Sequence, residues 1–199
     1  VNIAIPAPTL FTAIAAKDKN DEEKLGSAFA RLREEDPSFV IRLDKETKQT
    51  LIGTQGEMQM NVIKSKLAER FGVQAVTSPR KVAYRETIKG HSDVQGKYKK
   101  QSGGAGQDGD VRIRFSPSTE PGLEFSEQLF GGSIPKNYVP AIEKGLLESM
   151  EKGPLAGYPV VGIKAVLYDG SYHDVDSNDM AFKVAASMAF KAGITKAHP

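Results

Sequence analysis

Two periods of hydrophobic residues divide the first 78 positions into six predicted elements. Four short runs have the apolar or alternating character of β-strands: residues 10–16, 39–43, 49–53 and 73–76. Two longer stretches repeat at helical spacing, on the stripes Leu25, Ala28, Phe29 and Leu32 and then Met60, Ile63 and Leu67. The proline after Asp36 ends the first helix because it disfavours helical backbone in the preceding residue, and Gly72 ends the second. The order βαββαβ predicts an α+β, ferredoxin-like sandwich.

The second half shows both periods again. Strands are predicted over residues 82–88, 97–101, 110–115, 123–130 and 160–168. Helices are predicted over residues 135–151, with Ile142, Leu146 and Met150 on one face, and over residues 178–192, with Met180, Val184 and Met188 on one face. Gly193 is predicted to end the last helix, and Asp176 or Ser177 to cap its start.

Breaks between these elements predict the domain organisation. Residues 1–9 hold two prolines and little periodicity, so we interpret them as a linker from a preceding domain and expect the chain to be a piece of a longer protein. The turn-like Ser78-Pro79-Arg80 separates one domain at residues 10–78 from another at residues 79–199.

Composition narrows the class of protein and of partner. Hydrophobic residues make up 39% and charged residues 26%, and the cysteine count of 0 excludes disulfides and thiolate metal sites. No apolar run approaches the ~20 residues of a membrane span, and no signal peptide is recognisable, so we expect a cytoplasmic protein without a membrane partner. Residues 80–114 carry nine Lys or Arg and four Asp or Glu, which indicates either an anionic partner or a solvated basic face.

Several short motifs suggest catalysis or binding but lack the context that such chemistry needs. Residues 104–109 match G-x-G-x-x-G, yet a strand pattern follows them, whereas a dinucleotide fingerprint must open a helix. Residues 93–96 match the D-x-x-G of GTPases, but no phosphate-binding G-x-x-x-x-G-K-[ST] accompanies them. Asp174, Asp176 and Asn178 begin like a calcium loop, which then fails at its glycine and glutamate positions. We therefore expect no metal site and no catalytic site, although an enzyme using His173 is an alternative.

Four longer stretches resemble elongation factor G. They are REEDPSF at 33–39, PRKVAYRETI at 79–88, KQSGGAGQDGDV at 100–111, and GPLAGYPVVGIKAVLYDGSYHDVDSNDMAFKVAASMAF at 153–190. GTQGEMQM at 53–60 also resembles the third domain of that family. The likeness extends over nearly the whole chain, and it identifies the two halves as similar to the third and fourth domains.

This resemblance implies a fold and a role for each half. The third domain of the family is a ferredoxin-like connector. The fourth resembles domain 2 of ribosomal protein S5 and contains a left-handed βαβ crossover, an exception to the usual hand. The resemblance implies a monomeric ribosome-binding arm whose tip enters the decoding centre of the small subunit, beside the tRNA–mRNA duplex and the small-subunit rRNA. It also implies that this piece binds no cofactor, and that GTP and Mg²⁺ belong to a GTPase domain outside it.

Two loops form the tip in the resembling family. The expected RNA contacts in this chain are Ser102, Gly103, Gly104, Ala105, Gly106 and Gln107 in one loop, and Ser171, Tyr172, His173 and Asp174 in the other. Glycines let the backbone approach RNA, and aromatic rings can stack on bases, although the glycines alone would also fit a flexible hairpin and Tyr172 could pack under its loop. Attraction to RNA phosphates is expected from Lys97, Lys99 and Lys100.

The glycine loop departs from the family pattern. The usual sequence is close to SGGRGQYGHV, and here Ala105, Asp108 and Asp110 replace Arg, Tyr and His. We expect each added carboxylate to weaken binding to RNA. The alternative to a translocation factor is therefore a diverged paralogue that acts in ribosome recycling or ribosome protection.

Overall fold

A computed structural model describes residues 4–101, 103–104 and 106–199. The chain divides into two compact units between Ala83 and Tyr84. Each unit has its own β-sheet, covered by α-helices.

The first unit contains one four-stranded sheet and two helices. Its elements are β1 (Leu10–Ala16), α1 (Glu22–Glu35), β2 (Val40–Asp44), β3 (Gln49–Thr54), α2 (Glu57–Phe71) and β4 (Ala75–Ser78). The strand order is β2-β3-β1-β4 and every neighbouring pair is antiparallel, which is the ferredoxin-like arrangement predicted from the sequence. The predicted stripes of both helices are buried in its core. Gly72 ends α2 with a φ of 65°, in the left-handed region that favours glycine.

The second unit contains another four-stranded sheet and two helices. Its elements are β5 (Ser92–Lys100), β6 (Gln107–Pro117), β7 (Leu123–Glu127), α3 (Val139–Ser149), β8 (Ile163–Ser171) and α4 (Asp179–Lys196). The strand order is β5-β6-β8-β7, with β7 parallel to β8 and the other pairs antiparallel. Thus β7, α3 and β8 form the expected βαβ unit. Helix α4 packs on β5 and β6, and α3 packs on α4.

Small residues let α4 lie unusually close to the sheet. Ala181, Ala185, Ala186 and Ala189 are fully buried along α4. A β-carbon at Gly109 of β6 would lie 2.6 Å from the carbonyl oxygen of Ala181, so only glycine fits there. The predicted stripe is on another side of the helix, where Met180 and Met188 are exposed. Because α4 is apolar on nearly every side, hydrophobic spacing alone did not identify its buried face.

Several predictions for the second half are wrong in detail. No strand covers residues 82–88, where only Glu86 forms an isolated bridge, to Val160. Glycine does not end α4, because Gly193 lies inside the helix against the ring of Phe115. Neither Asp176 nor Ser177 caps α4: the side-chain oxygen of Asn178 accepts the Ala181 N–H at 2.8 Å.

Candidate nucleic-acid interface

The β5–β6 hairpin carries the glycine loop at one end of the second unit. The last cross-strand pair before the loop is Lys100 with Gln107. Gly103 and Gly104 have φ values of 43° and 149°, which other residues rarely adopt, and a β-carbon on either would meet nothing within 4 Å. Both are exposed, whereas Gly106 is buried. Two predicted contact residues, Ser102 and Ala105, lie outside the described residues.

The second loop connects β8 to α4, and a hydrogen-bonded turn shapes it. Ser171, Tyr172, His173 and Asp174 are all exposed, as predicted for a tip. The His173 N–H donates to the Ser177 hydroxyl at 2.9 Å. The His173 Nδ1 accepts the N–H groups of Val175 and Asp176, each at 3.3 Å. The same Nδ1 lies 3.5 Å from Asp176 Oδ2, so this edge of the ring faces its own loop.

Asp176 joins the two loops across 70 residues of sequence. Its Oδ1 accepts the Gly106 N–H at 2.9 Å, and its backbone oxygen accepts the Asp108 N–H at 2.9 Å. The neighbouring Ser177 hydroxyl donates to the Asp108 carbonyl at 2.8 Å. A β-carbon at Gly106 would lie 2.9 Å from the Asp176 carboxyl carbon, so any other residue there would push the carboxylate away. The described parts of the two predicted loops therefore lie side by side.

Asp110, one of the two added anions of the glycine loop, does not lie at the loop surface. Asp110 is buried within β6, and both its oxygens have partners. The Gln95 amide donates to Oδ1 at 2.8 Å and the Ser171 hydroxyl donates to Oδ2 at 3.1 Å. Its carboxylate thus ties β5 and β8 to β6 immediately below the tip. Asp108 is only half-buried, so it is the added anion that remains near the loop surface.

The three predicted lysines lie on β5, an edge strand of the sheet. All three side chains are exposed. Lys97 and Lys99 point away from the core face, because Gly96 and Tyr98 alternate with them toward the helices. Their cross-strand neighbours are Asp110 and Asp108. Lys100, next to the glycine loop, pairs instead with the uncharged Gln107.

Two residues that support the second loop were missed at the sequence level. The Tyr138 hydroxyl donates to the Ser177 carbonyl at 3.1 Å, and its ring packs 4.7 Å from that of Phe182. The buried side chain of Ile134 covers Gly170, where a β-carbon would lie 2.5 Å from Ile134 Cδ1. Both contacts join residues more than thirty positions apart, so the local spacing of hydrophobic residues could not predict them.

A polar cluster on the sheet face below the tip was also missed. The Arg114 guanidinium lies 4.0 Å from the centre of the Tyr168 ring, and its Nε lies 3.6 Å from Asp93 Oδ2. The Tyr168 hydroxyl donates to Asp93 Oδ1 at 2.5 Å. That hydrogen bond, together with burial, raises the pKa of Tyr168 above its ordinary value of 10.0. The Tyr168 hydroxyl therefore stays protonated, and a hydrogen-bond donor, to a higher pH than that of a free tyrosine.

Metal centres and membrane-spanning helices are two further classes of feature that bear on function. Within the described residues, no three His, Cys, Asp or Glu side chains are grouped so as to hold a metal ion. Over the same part of the chain, no helix combines the length and apolarity that crossing a membrane requires.

Comparisons with known proteins assign both units. Residues 5–79 match the family model described as Elongation Factor G, domain III, and residues 80–198 match Elongation factor G, domain IV. A crystal structure of a protein from Thermus thermophilus is 46% identical and superposes with a TM-score of 0.83. The match covers 99% of this chain but only 29% of that one, so this chain spans less than a third of its length. The chain belongs to the elongation factor G family, of which it carries the third and fourth domains.

Proposed function

We propose that the second unit is the ribosome-binding arm of a translation factor, and that its tip contacts RNA in the decoding centre of the small subunit. In this proposal the arm promotes movement of the tRNA–mRNA duplex, coupled to GTP hydrolysis by a Mg²⁺-dependent GTPase domain of a longer, monomeric, cytoplasmic parent. Membership of the elongation factor G family supports an elongation-factor role in general.

One observation carries the proposal: Asp176 holds the glycine loop against the His173 loop. The bond from Gly106 to Asp176 joins the two loops, and both the glycines at 103–104 and the rings at 172–173 are exposed. Exposed backbone amides can donate to phosphate or 2′-hydroxyl oxygens, and the two rings can stack on bases or donate to them. Lys100, beside the loop, adds attraction to phosphate that is independent of sequence.

Asp108 favours the second candidate function, a paralogue active in ribosome recycling or ribosome protection. Its carboxylate is half-buried at the base of the glycine loop, where family members commonly have tyrosine. A negative charge there opposes RNA phosphates and would lower the residence time of the arm. Splitting of ribosomes by the parent without any acceleration of translocation would favour this candidate.

The test is single-turnover translocation by the full-length parent with His173→Ala. We expect slower tRNA movement and an unfolding free energy unchanged within ~0.5 kcal/mol, because the side chain is exposed. Lys152→Ala, an exposed change in the same unit, is the matched control and should leave the rate unaltered. Wild-type kinetics in the His173 variant would contradict the proposal.

A further inference from the structure

A third loop, residues 128–134, lies at the same end of the second unit as the two tip loops. It follows β7, which runs parallel to β8, so both strands deliver their following loops to one edge of the sheet. The Gln128 N–H donates to the Leu167 carbonyl at 2.7 Å, which continues the β7–β8 pairing into the loop. Ile134, at the end of the loop, covers Gly170. The third loop is thus anchored to the strand that carries the His173 loop.

A tight turn presents one aromatic side chain from this loop. The Ser133 N–H donates to the Phe130 carbonyl at 3.3 Å, which closes a β-turn over residues 130–133. Its central residues, Gly131 and Gly132, have φ values of 62° and 70°, the pattern of a type I′ turn. Phe130, the first residue of the turn, is 86% exposed, whereas Leu129 packs against the core.

Resting on the proposed function, we propose that Phe130 extends the RNA interface by stacking on an unpaired base. The strand next to β7 is β8, whose loop exposes the rings of Tyr172 and His173, groups that suit RNA bases. The glycine loop lies at the same end of the sheet, one strand further away. The tight turn fixes the backbone that carries the ring, which lowers the conformational cost of binding and favours stacking. Tyr172, 44% exposed, supplies a second ring at this end of the unit.

The test uses the 199-residue chain with Phe130 changed to Ala, Leu or Tyr, and purified small ribosomal subunits as the probe. Base–aromatic stacking predicts that Phe130→Ala weakens binding by about 5- to 150-fold. Phe130→Leu should lose nearly as much, while Phe130→Tyr should stay within about two-fold, because only tyrosine keeps the ring. The dependence of affinity on salt should not change, since no phosphate contact is removed.

Leu155→Ala is the matched control. Leu155 is also an exposed apolar loop residue, 63% exposed, but its loop precedes β8 and lies at the opposite end of that strand. It should bind like the unchanged chain. All variants should keep the melting temperature of the unchanged 199-residue chain, because the side chains of Phe130 and Leu155 are both exposed.

The outcomes separate this inference from the proposed function. Failure of the unchanged chain to bind small subunits overturns both. Binding that His173→Ala weakens but Phe130→Ala leaves unaltered overturns only the stacking role. Retention of affinity by Phe130→Leu also overturns it, because it would show a merely apolar contact of the kind a protein partner makes.

Discussion

At both ends of β8 a carboxylate accepts hydrogen bonds from the backbone of a loop about 70 residues away in sequence, but the two carboxylates differ in burial. Glu86, before the strand, is 6% exposed and accepts the N–H groups of Leu155, Ala156 and Tyr158 at 2.7, 3.3 and 2.8 Å. The Asp176 carboxylate, after the strand, accepts one backbone N–H from the described residues, that of Gly106, and also lies 3.5 Å from His173 Nδ1; 18% of its side chain is exposed.

Glycine makes room for the carboxylate at both ends. A β-carbon at Gly153 would collide with the Glu86 carboxylate, and one at Gly106 would crowd Asp176. A carboxylate thus fixes the buried end for stability, whereas at the other end it joins two loops that stay exposed. We infer that the Glu86 end fixes the fold and that the Asp176 end positions a binding surface.

The largest effect on stability is expected at the Glu86 end of β8. Glu86→Ala leaves three backbone donors without their acceptor and should lower the free energy of unfolding by about 3–5 kcal/mol. Urea denaturation measures this loss. Glu86→Gln keeps one acceptor oxygen and should lose less, and Glu151→Ala, at an exposed position, should stay within ~0.5 kcal/mol. Equal stability of the Glu86→Ala and Glu151→Ala variants would contradict the inference that the Glu86 carboxylate fixes the fold.

Asp110 should contribute to the free energy of unfolding, as Glu86 does, although it lies near the tip. Asp110→His restores the residue common in the family but removes an acceptor from Gln95 and Ser171, so we expect a loss of about 1–3 kcal/mol. Thermal unfolding measures the change. A more stable variant would mean that the loop tolerates histidine by rearranging, and Asp110 would then be no part of the support.

Asp176 should affect binding more than folding. Asp176→Ala frees the Gly106 N–H and should lower stability by about 1–2 kcal/mol, while affinity for small subunits falls because the glycine loop is no longer held beside His173. Asp176→Asn keeps an acceptor and should recover most of the affinity. Unchanged affinity in the alanine variant would show that the loops bind independently.

The smallest effect is expected from Asp108. Asp108→Tyr removes a half-buried anion beside the loop and should raise affinity for small subunits by about two- to five-fold at low salt. The gain should shrink as salt increases. An equal gain at high salt would point to a contact of the new ring rather than to removal of charge.

Most of the fold could be predicted from the local pattern of hydrophobic residues, and the elements that were predicted wrongly have physical causes. The first unit was predicted correctly because each of its helices has one apolar face and a clear stop at Pro37 or Gly72. In the second unit, periodicity identified the core of α3 but not that of α4, which is buried through alanines. The alternation at residues 82–88 resembled a strand, yet Glu86 uses its side chain, more than its backbone, to bind its neighbours.

The candidate site was predictable only where the residues themselves carry the signal. Both loops were identified from their sequences. His173 is exposed as expected, and Tyr172, for which packing under the loop was the alternative, is exposed as well. The contacts that Asp176 and Tyr138 make with the loops, and the exposure of Phe130, were missed because they depend on how distant segments pack together. The burial of Asp110 was missed for the same reason: an acidic residue next to a glycine loop gives no sign of its partners.

The proposed interface requires that the glycine loop and the His173 loop meet the same RNA. Because the chain has no cysteine, Gly104→Cys and Asp174→Cys each create a single attachment point for a tethered Fe-EDTA probe. Mapping the hydroxyl-radical cleavage of small-subunit rRNA tests this requirement, with Leu155→Cys as the control about 30 Å away along β8. We expect overlapping cleavage from positions 104 and 174 and a different or absent pattern from position 155. Cleavage from 104 and 174 at unrelated sites, or none above that from 155, would show that the two loops do not share an RNA surface.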